Sequence, residues 1–485
     1  MPIPFSQIPA NLLVPGQYGE IDNSEARTQS AVRRALLMGY KLPSAPAAAG
    51  EPVQVLSPAR AAELCGHGSP LAIMAGAFLD VNRFEECWLL PVNPPEAGTA
   101  WKHLFSVTAG SAGAGAVKIT VNGRTFSAAV SAGTLPANAA AAIGARINAE
   151  LDLPVEAAVE GRYVTVSSLV KGTWGNRNIV TVESEAAGLT ISDDGITKGS
   201  GVTLLNSLYA ALGEKRFHYF VSDFDDTQNI RDLSAELEDR FSATRQIGGR
   251  AFVPLSGPIG SASEGGSILA QAREVNSPHV ILIPRFENPQ LPGEWAARLA
   301  AAAIRRLSDD PAANTFDTHV RGLTAGKEAD FHSRQRLLES GVATWRLDPT
   351  GNVLIERLVT SFTENSDGGR DTSFLDIQIV ETVDALRDHI NATARRRYRN
   401  WKLASTEENF GAGSRVMTPG VFRSFLADMY QSVFILEKQW CQNFEGYLDS
   451  IIVEVMPGSK TRLQYSHRPE LIGQFLIGAG LIQFR

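Results

Sequence analysis

Between residues 199 and 330, apolar runs of strand length alternate with amphipathic stretches. FHYFVSD (217–223), AFVPLSG (251–257) and HVILIPR (279–285) read as buried strands. The stretches 204–212, 229–243, 265–275 and 294–307 read as helices around them. Such alternation predicts right-handed crossovers and a mainly parallel sheet. The same texture occurs earlier, with a helix pattern over 57–64, an apolar run over 71–79 and CWLLPV (87–92) as a buried strand. Ahead of these, the stretch from Ser24 to Met38 reads as helical or mixed and is followed by a small-residue linker, SAPAAAG, at 44–50.

A different texture lies between the two parts. From 106 to 198 there is no Cys, Met or His, and Gly, Ala, Thr and Val dominate. VKITVNGRTFSAAV alternates with period two about Asn122-Gly123, the strongest short-range signal for a hairpin. An Ala-rich helix is expected over 137–151, then strands in VEAAVE, RYVTVSSL and NIVTVES. This composition predicts a β-rich module inserted into its host domain.

Beyond 330 the pattern shifts to α+β. Short strands at 343–347 and 353–359 precede a long helix from Leu375 to about Arg399. A second helix starts at Thr418-Pro419, a cap residue with proline in the first turn, and runs to about Leu436, or to Phe444 if the pattern continues. DSIIVEVMPGSKTRLQYSH reads as two strands about a Pro-Gly turn. Both ends read as extended apolar arms. At the N-terminus, prolines at 2, 4, 9 and 15 exclude helix and leave Phe5, Ile8, Leu12 and Val14 without local partners. At the C-terminus, Leu481, Ile482 and Phe484 close the tail LIGQFLIGAGLIQFR. An unpaired apolar edge needs a cover, supplied either by the chain's own arms or by those of neighbouring copies.

The domain reading is an arm at 1–24, an α/β domain in two pieces (25–105 and 199–330), the inserted module (106–198), an α+β domain (331–473) and an arm at 474–485. The fold class is thus α/β and α+β, multidomain, with the C-terminal domain completed by the terminal arms.

Composition narrows the function. Of 485 residues, 44% are hydrophobic and 20% charged, as expected of a chain with a packed core rather than a disordered one. A net charge of −7 argues against coating nucleic acid, and no direct nucleic-acid partner is expected. Cys65, Cys87 and Cys441 are far apart with no CxxC, so neither a disulfide framework nor a zinc site is indicated. The first twenty residues lack the basic start of a secretory signal, and the late apolar run 471–484 is too short and too interrupted to span a bilayer, so membrane insertion is not expected.

Candidate chemistry is sparse. Asp223-Phe-Asp225-Asp226-Thr227, after an apolar strand, fits the DxDxT pattern of haloacid-dehalogenase-like phosphatases, in which the first Asp attacks phosphorus and the second moves a proton beside Mg²⁺. The acidic pair Asp309-Asp310 follows a helix rather than the strand such an enzyme needs. The competing reading is a helix start, where carboxylates are favoured. The glycine-rich stretch 110–115 leads into a strand with no adjacent Lys, so it is a connector rather than a phosphate cradle. No cofactor or metal is expected. Charge clustering says more: between His389 and Lys402 stand Arg395, Arg396, Arg397, Arg399 and Lys402 with no acid. Either they are a solvated helix end or they form a docking face for an acidic partner.

The N-terminal FSQIPANLLVPGQYGEIDNSEA resembles the start of contractile phage tail sheath proteins of the Mu-like family. So does the run from about Thr382 to the end, with its long helix, RRRYRNWKLA, VMTPGVFRSFL, strand pair and LIGQFLIGAGLIQF. The middle matches in order and texture, including the module ending in KGTWGNRN (171–178). The resemblance implies a non-enzymatic structural subunit of the virion tail, assembled in the host cytoplasm as stacked hexameric rings around a tube. It implies partners in further copies of itself, the tail tube protein, and baseplate and terminator proteins. It implies contraction that drives the tube through the host envelope for DNA ejection, tube contact by the basic run, subunit linkage by both arms, and a non-catalytic surface role for the 223–226 loop.

Overall fold

The computed structural model describes residues 33–483, apart from 287, 326, 409 and 411–413. Phe5, Ile8, Leu12, Val14 and Phe484 therefore lie outside the described residues.

A six-stranded sheet forms the centre. Its order is Val280–Pro284, Arg250–Leu255, Tyr219–Ser222, Arg34–Tyr40, Glu86–Val92, Val53–Val55. The first five are parallel, and Val53–Val55 closes one edge antiparallel. Arg250–Leu255, Tyr219–Ser222 and Val280–Pro284 are buried at every position, as strands covered on both faces must be. Side chains alternate between two cores. Leu37, Leu89, Val221 and Ile281 pack with the helices Pro70–Val81 and Pro292–Asp309. Leu36, Leu90, Phe220 and Leu282 pack with Thr227–Phe241 and Ile268–Val275.

Arg34–Tyr40 corrects the helical or mixed reading of 24–38 where the structure describes it. Ala35 to Met38 are wholly buried, and the strand pairs on both sides. A short continuous apolar run looks the same in a buried helix and a central strand, so only pairing decides. The expected helix over 204–212 is a 3-10 turn, Asn206–Leu212.

The module holds a four-stranded and a three-stranded antiparallel sheet whose strands interleave along the chain, with the helix Pro136–Asn148 after the hairpin, around its own core of Phe105, Val117, Ile119, Ile143 and Val166. Asn122 (φ 49°) and Gly123 (φ 82°) form the two-residue hairpin turn that their sequence predicts. The first strand, Ala100–Ala109, begins before the composition changes at 106, and a bridge between Thr99 and Ser200 closes the neck.

The texture change at 330 is not a packing boundary. Trp345, Val353 and Ile355 join the α/β core through the sheet Thr318–Thr324, Asn352–Arg357, Thr344–Leu347, and Ile377 joins it from the start of the long helix. A separate core begins at Ala385, midway along the 22-residue helix Ile377–Tyr398. It holds Phe422, Phe425 and Leu426 of the helix Pro419–Asp428, whose N-terminus Thr418 caps through Val421 N, and Tyr430 stacked on Tyr447 at 3.6 Å. A π-helical stretch, Met429–Glu437, ends this element, so it does not continue to Phe444. Gln439, at φ 56°, turns the chain into Cys441–Gln442.

Candidate assembly interface

The long helix Ile377–Tyr398 carries opposite charges on its two halves. Glu381, Asp384 and Asp388, spaced to share one face, meet cations at the N-terminal ends of the parallel strands. Arg33 reaches Glu381 at 3.0 Å, Arg250 lies 3.5 Å from Glu381 and 3.6 Å from Asp384, and Arg216 bridges Asp384 (2.9 Å) and Asp388 (2.5 Å). Burial alone would raise the Asp384 carboxyl, but Arg250, Arg216 and Arg387 outweigh it and hold the carboxyl below its ordinary range. These pairs fix the helix to the sheet.

The other half ends in the basic run. Arg395, Arg396 and Arg397 occupy the last turn, where cations complement the helix dipole; Arg399 caps it and Lys402 opens the next strand. All five are exposed. Arg397 lies 3.5 Å from Asp428, whereas Arg395, Arg396, Arg399 and Lys402 have no ion pair among the described residues. Tyr398, edge-on to Trp401 at 4.8 Å and to Phe425 at 5.3 Å, seats this tip on the C-terminal core.

The C-terminal arm follows the short strand Glu470–Leu471, which pairs with Cys441–Gln442. Phe475, Ile477, Leu481 and Ile482 are 80–90% exposed. Nearby in sequence, the hairpin of Ile452–Val455 and Leu463–Ser466 is only two strands wide and exposes Ile452, Met456 and Tyr465. A free apolar segment and a sheet only two strands wide thus occur in one chain.

The acidic loop is not a surface feature, which corrects that expectation. Asp223 is 1% exposed, at the C-terminal end of Tyr219–Ser222 and beside Arg34–Tyr40, where the strand order reverses. In open α/β sheets this crevice is the usual ligand site. Here the module's turn Thr173–Arg177 occupies it: Trp174 Nε1 donates to Asp223 Oδ2 at 2.6 Å, and Arg177 Nε to Asp225 Oδ2 at 3.1 Å. Burial pushes the Asp223 carboxyl up to about 7, against the pull of Arg177 and the Trp174 N–H. Asp226 caps the helix Thr227–Phe241 through Asn229 N. A nucleophile covered by an indole has no access to a phosphoryl group, so the Asp223/Asp225 phosphatase reading fails on geometry. Trp174 and Arg177 escaped the sequence reading as functional residues, although KGTWGNRN stood out as the module's end. Among the described residues no cluster of His, Cys, Asp or Glu could hold a metal, and no helix is long and apolar enough to cross a membrane.

No protein-family model matches the chain. The tail sheath protein of the Mu-like prophage FluMu of Haemophilus influenzae is 28% identical over 494 aligned positions, covering 100% of both chains. Among solved structures, a sheath tail protein from Desulfitobacterium hafniense matches with a TM-score of 0.47 at 11% identity, over 94% of this chain and 100% of that one. A chain of the anti-feeding prophage baseplate matches with a TM-score of 0.49 at 10% identity, over 98% and 99%. The weight lies on the sequence match: from end to end this chain is similar to a Mu-like prophage tail sheath protein, and it is a structural protein rather than an enzyme.

Proposed function

We infer that the protein is the subunit of a contractile tail sheath, a component of the virion tail that assembles in the host cytoplasm as stacked hexameric rings around a tube. Contraction then drives the tube through the host envelope for DNA ejection. The observation that carries the reading is the C-terminal arm, apolar and exposed among the described residues, in a chain that also bears a hairpin sheet only two strands wide. Added to a neighbour's sheet, each backbone hydrogen bond contributes ~0.5–1.5 kcal/mol, and burial of Leu481 or Ile482 ~1.5–3 kcal/mol, before ordering costs of ~1–2 kcal/mol per residue. One link is weak; many links repeated along a helix are not. Head-to-tail contacts of this kind generate helical polymers.

The N-terminal arm, with Phe5, Ile8, Leu12 and Val14, takes part in the same exchange, and Leu481, Ile482 and Phe484 form the C-terminal side of it. Arg395, Arg396, Arg397, Arg399 and Lys402 face the tube, because screened charges release more readily than an apolar seam when the sheath slides. The baseplate and terminator bound the polymer at its two ends, and the module at about 106–198 faces outward. With no nucleotide cradle in the reading, the work of contraction comes from metastability set at assembly. Negative-stain microscopy of the purified protein tests this: polymers of uniform diameter support it, and monodisperse particles under all assembly conditions refute it.

A further inference from the structure

The C-terminal arm does not simply emerge from the surface. Its root is gripped by one short loop, residues 310–315, between the helix Pro292–Asp309 and the strand Thr318–Thr324. Gln474 Nε2 donates to the Ala312 carbonyl at 2.5 Å, and Asn314 Nδ2 to the Phe475 carbonyl at 3.4 Å. Ile472 N bonds the Trp440 carbonyl at 2.9 Å, while Trp440 Nε1 donates to Asp310 Oδ1 at 2.8 Å. Asp310 Oδ1 also accepts from Ala312 N, and Gln378 of the long helix donates to the Ala313 carbonyl at 3.2 Å. Gln474 is half-buried between exposed neighbours, and from Ile477 onward every described residue is exposed.

We propose that loop 310–315 is the bracket on which the C-terminal arm pivots. The pivot lies at Gln474-Phe475 rather than at the end of the strand Glu470–Leu471. The bracket continues directly into the helix Pro292–Asp309, whose Trp295, Ala300 and Ile304 are wholly buried in the α/β core. A pull on the arm therefore enters the α/β core at Asp310 as well as the C-terminal core at Trp440. The pivot also limits reach. Ile482 lies seven residue steps beyond Phe475, so it can be no more than about 25 Å from the bracket, and so must the acceptor sheet on a neighbour. The role of the arm as a link rests on the reading above, whereas the pivot itself is a property of the single subunit.

Cys65, Cys87 and Cys441 are buried, so single cysteines introduced by Gly473→Cys and Ile477→Cys take a spin label selectively in the unassembled protein. The label at 477 should show nanosecond mobility and the label at 473 should be slower by about tenfold. Adding Gln474→Ala with Asn314→Ala should release the label at 473 to the mobility of 477, with circular dichroism unchanged. Trp440→Phe, which keeps an aromatic ring in place of the indole and removes the N–H, should loosen it partly. Equal mobility at 473 and 477 in the parent, or no change at 473 in the variants, would overturn the bracket. Failure of the linking role would show separately, as normal polymers from a chain lacking residues 476–485.

Discussion

Trp174 and Asp223 are 49 residues apart in sequence and are joined by a 2.6 Å hydrogen bond in the crevice at the C-terminal end of the central sheet. The bond ties the inserted module to its host. Val170 and Trp174 belong to the same hydrophobic core as Leu36, Met38 and Phe220 of the central strands. The module is thus docked through a buried indole. Gly293 faces Asp223 Oδ1 so closely that a Cβ there would clash with it.

Trp174→Ala should therefore destabilise the protein by ~3–5 kcal/mol, as expected for a large buried aromatic, and Trp174→Phe by ~1–3 kcal/mol through loss of the N–H to a buried carboxyl. Denaturant unfolding followed by far-ultraviolet circular dichroism measures both. Replacing 106–198 with a Gly/Ser linker removes the same indole, so it should carry a similar loss while leaving polymerisation intact.

The same pair sets a pH dependence. With its folded value pushed up to about 7 from an ordinary 3.8, Asp223 contributes stability that is fully present below pH 3.8 and is lost as pH rises through the folded value. Asp223→Asn should flatten that slope, at most ~1.4 kcal/mol per pH unit, between about pH 4 and 7. Unfolding curves of both proteins across that window check it; identical slopes would contradict it.

Asp384 works in the opposite sense. Its carboxyl is held below the ordinary 3.8, so its contribution is present above that pH and is lost as pH falls through the folded value. Asp384→Ala removes a buried partner shared by Arg250, Arg216 and Arg387, of which Arg250 keeps Glu381 and Arg216 keeps Asp388, and should cost about 2–4 kcal/mol at pH 7, somewhat less than a fully broken buried ion pair. Thermal melts at pH 7 and pH 3 should show the difference shrinking at acid pH.

Local features were legible in the sequence. The Asn122-Gly123 turn, the Thr418 cap and the alternating strands depend on neighbours a few residues away, so the pattern specifies them. The misreadings share a different cause. Arg34–Tyr40 is a strand because Glu86–Val92 and Tyr219–Ser222 flank it, and neither lies close in sequence. Trp345 and Ile355 belong to the α/β core despite the change in texture at 330, because packing partners rather than composition define a core. Glu381, Asp384 and Asp388 have a visible helical spacing, but nothing local says that Arg33, Arg216 and Arg250 will meet them. The covering of Asp223 was invisible for the same reason.

The basic tip gives an assembly prediction. Reversing Arg395, Arg396 and Arg399 to Glu should cost only about 1–2 kcal/mol of folding stability, the helix-end charge effect summed over exposed side chains. It should abolish assembly on tubes and spare tube-free polymers. Co-sedimentation with tubes checks it, and wild-type binding by the variant would mark the run as a solvated helix end.

The central claim, that terminal arms link copies of this chain into a sheath, is tested most directly by a cryo-electron microscopy map of the polymer that resolves residues 472–482. The account predicts that each arm leaves its subunit at Gln474-Phe475 and lies along the hairpin Ile452–Val455 and Leu463–Ser466 of an adjacent copy, burying Leu481 or Ile482. Arms folded back onto their own subunit's sheet would contradict it.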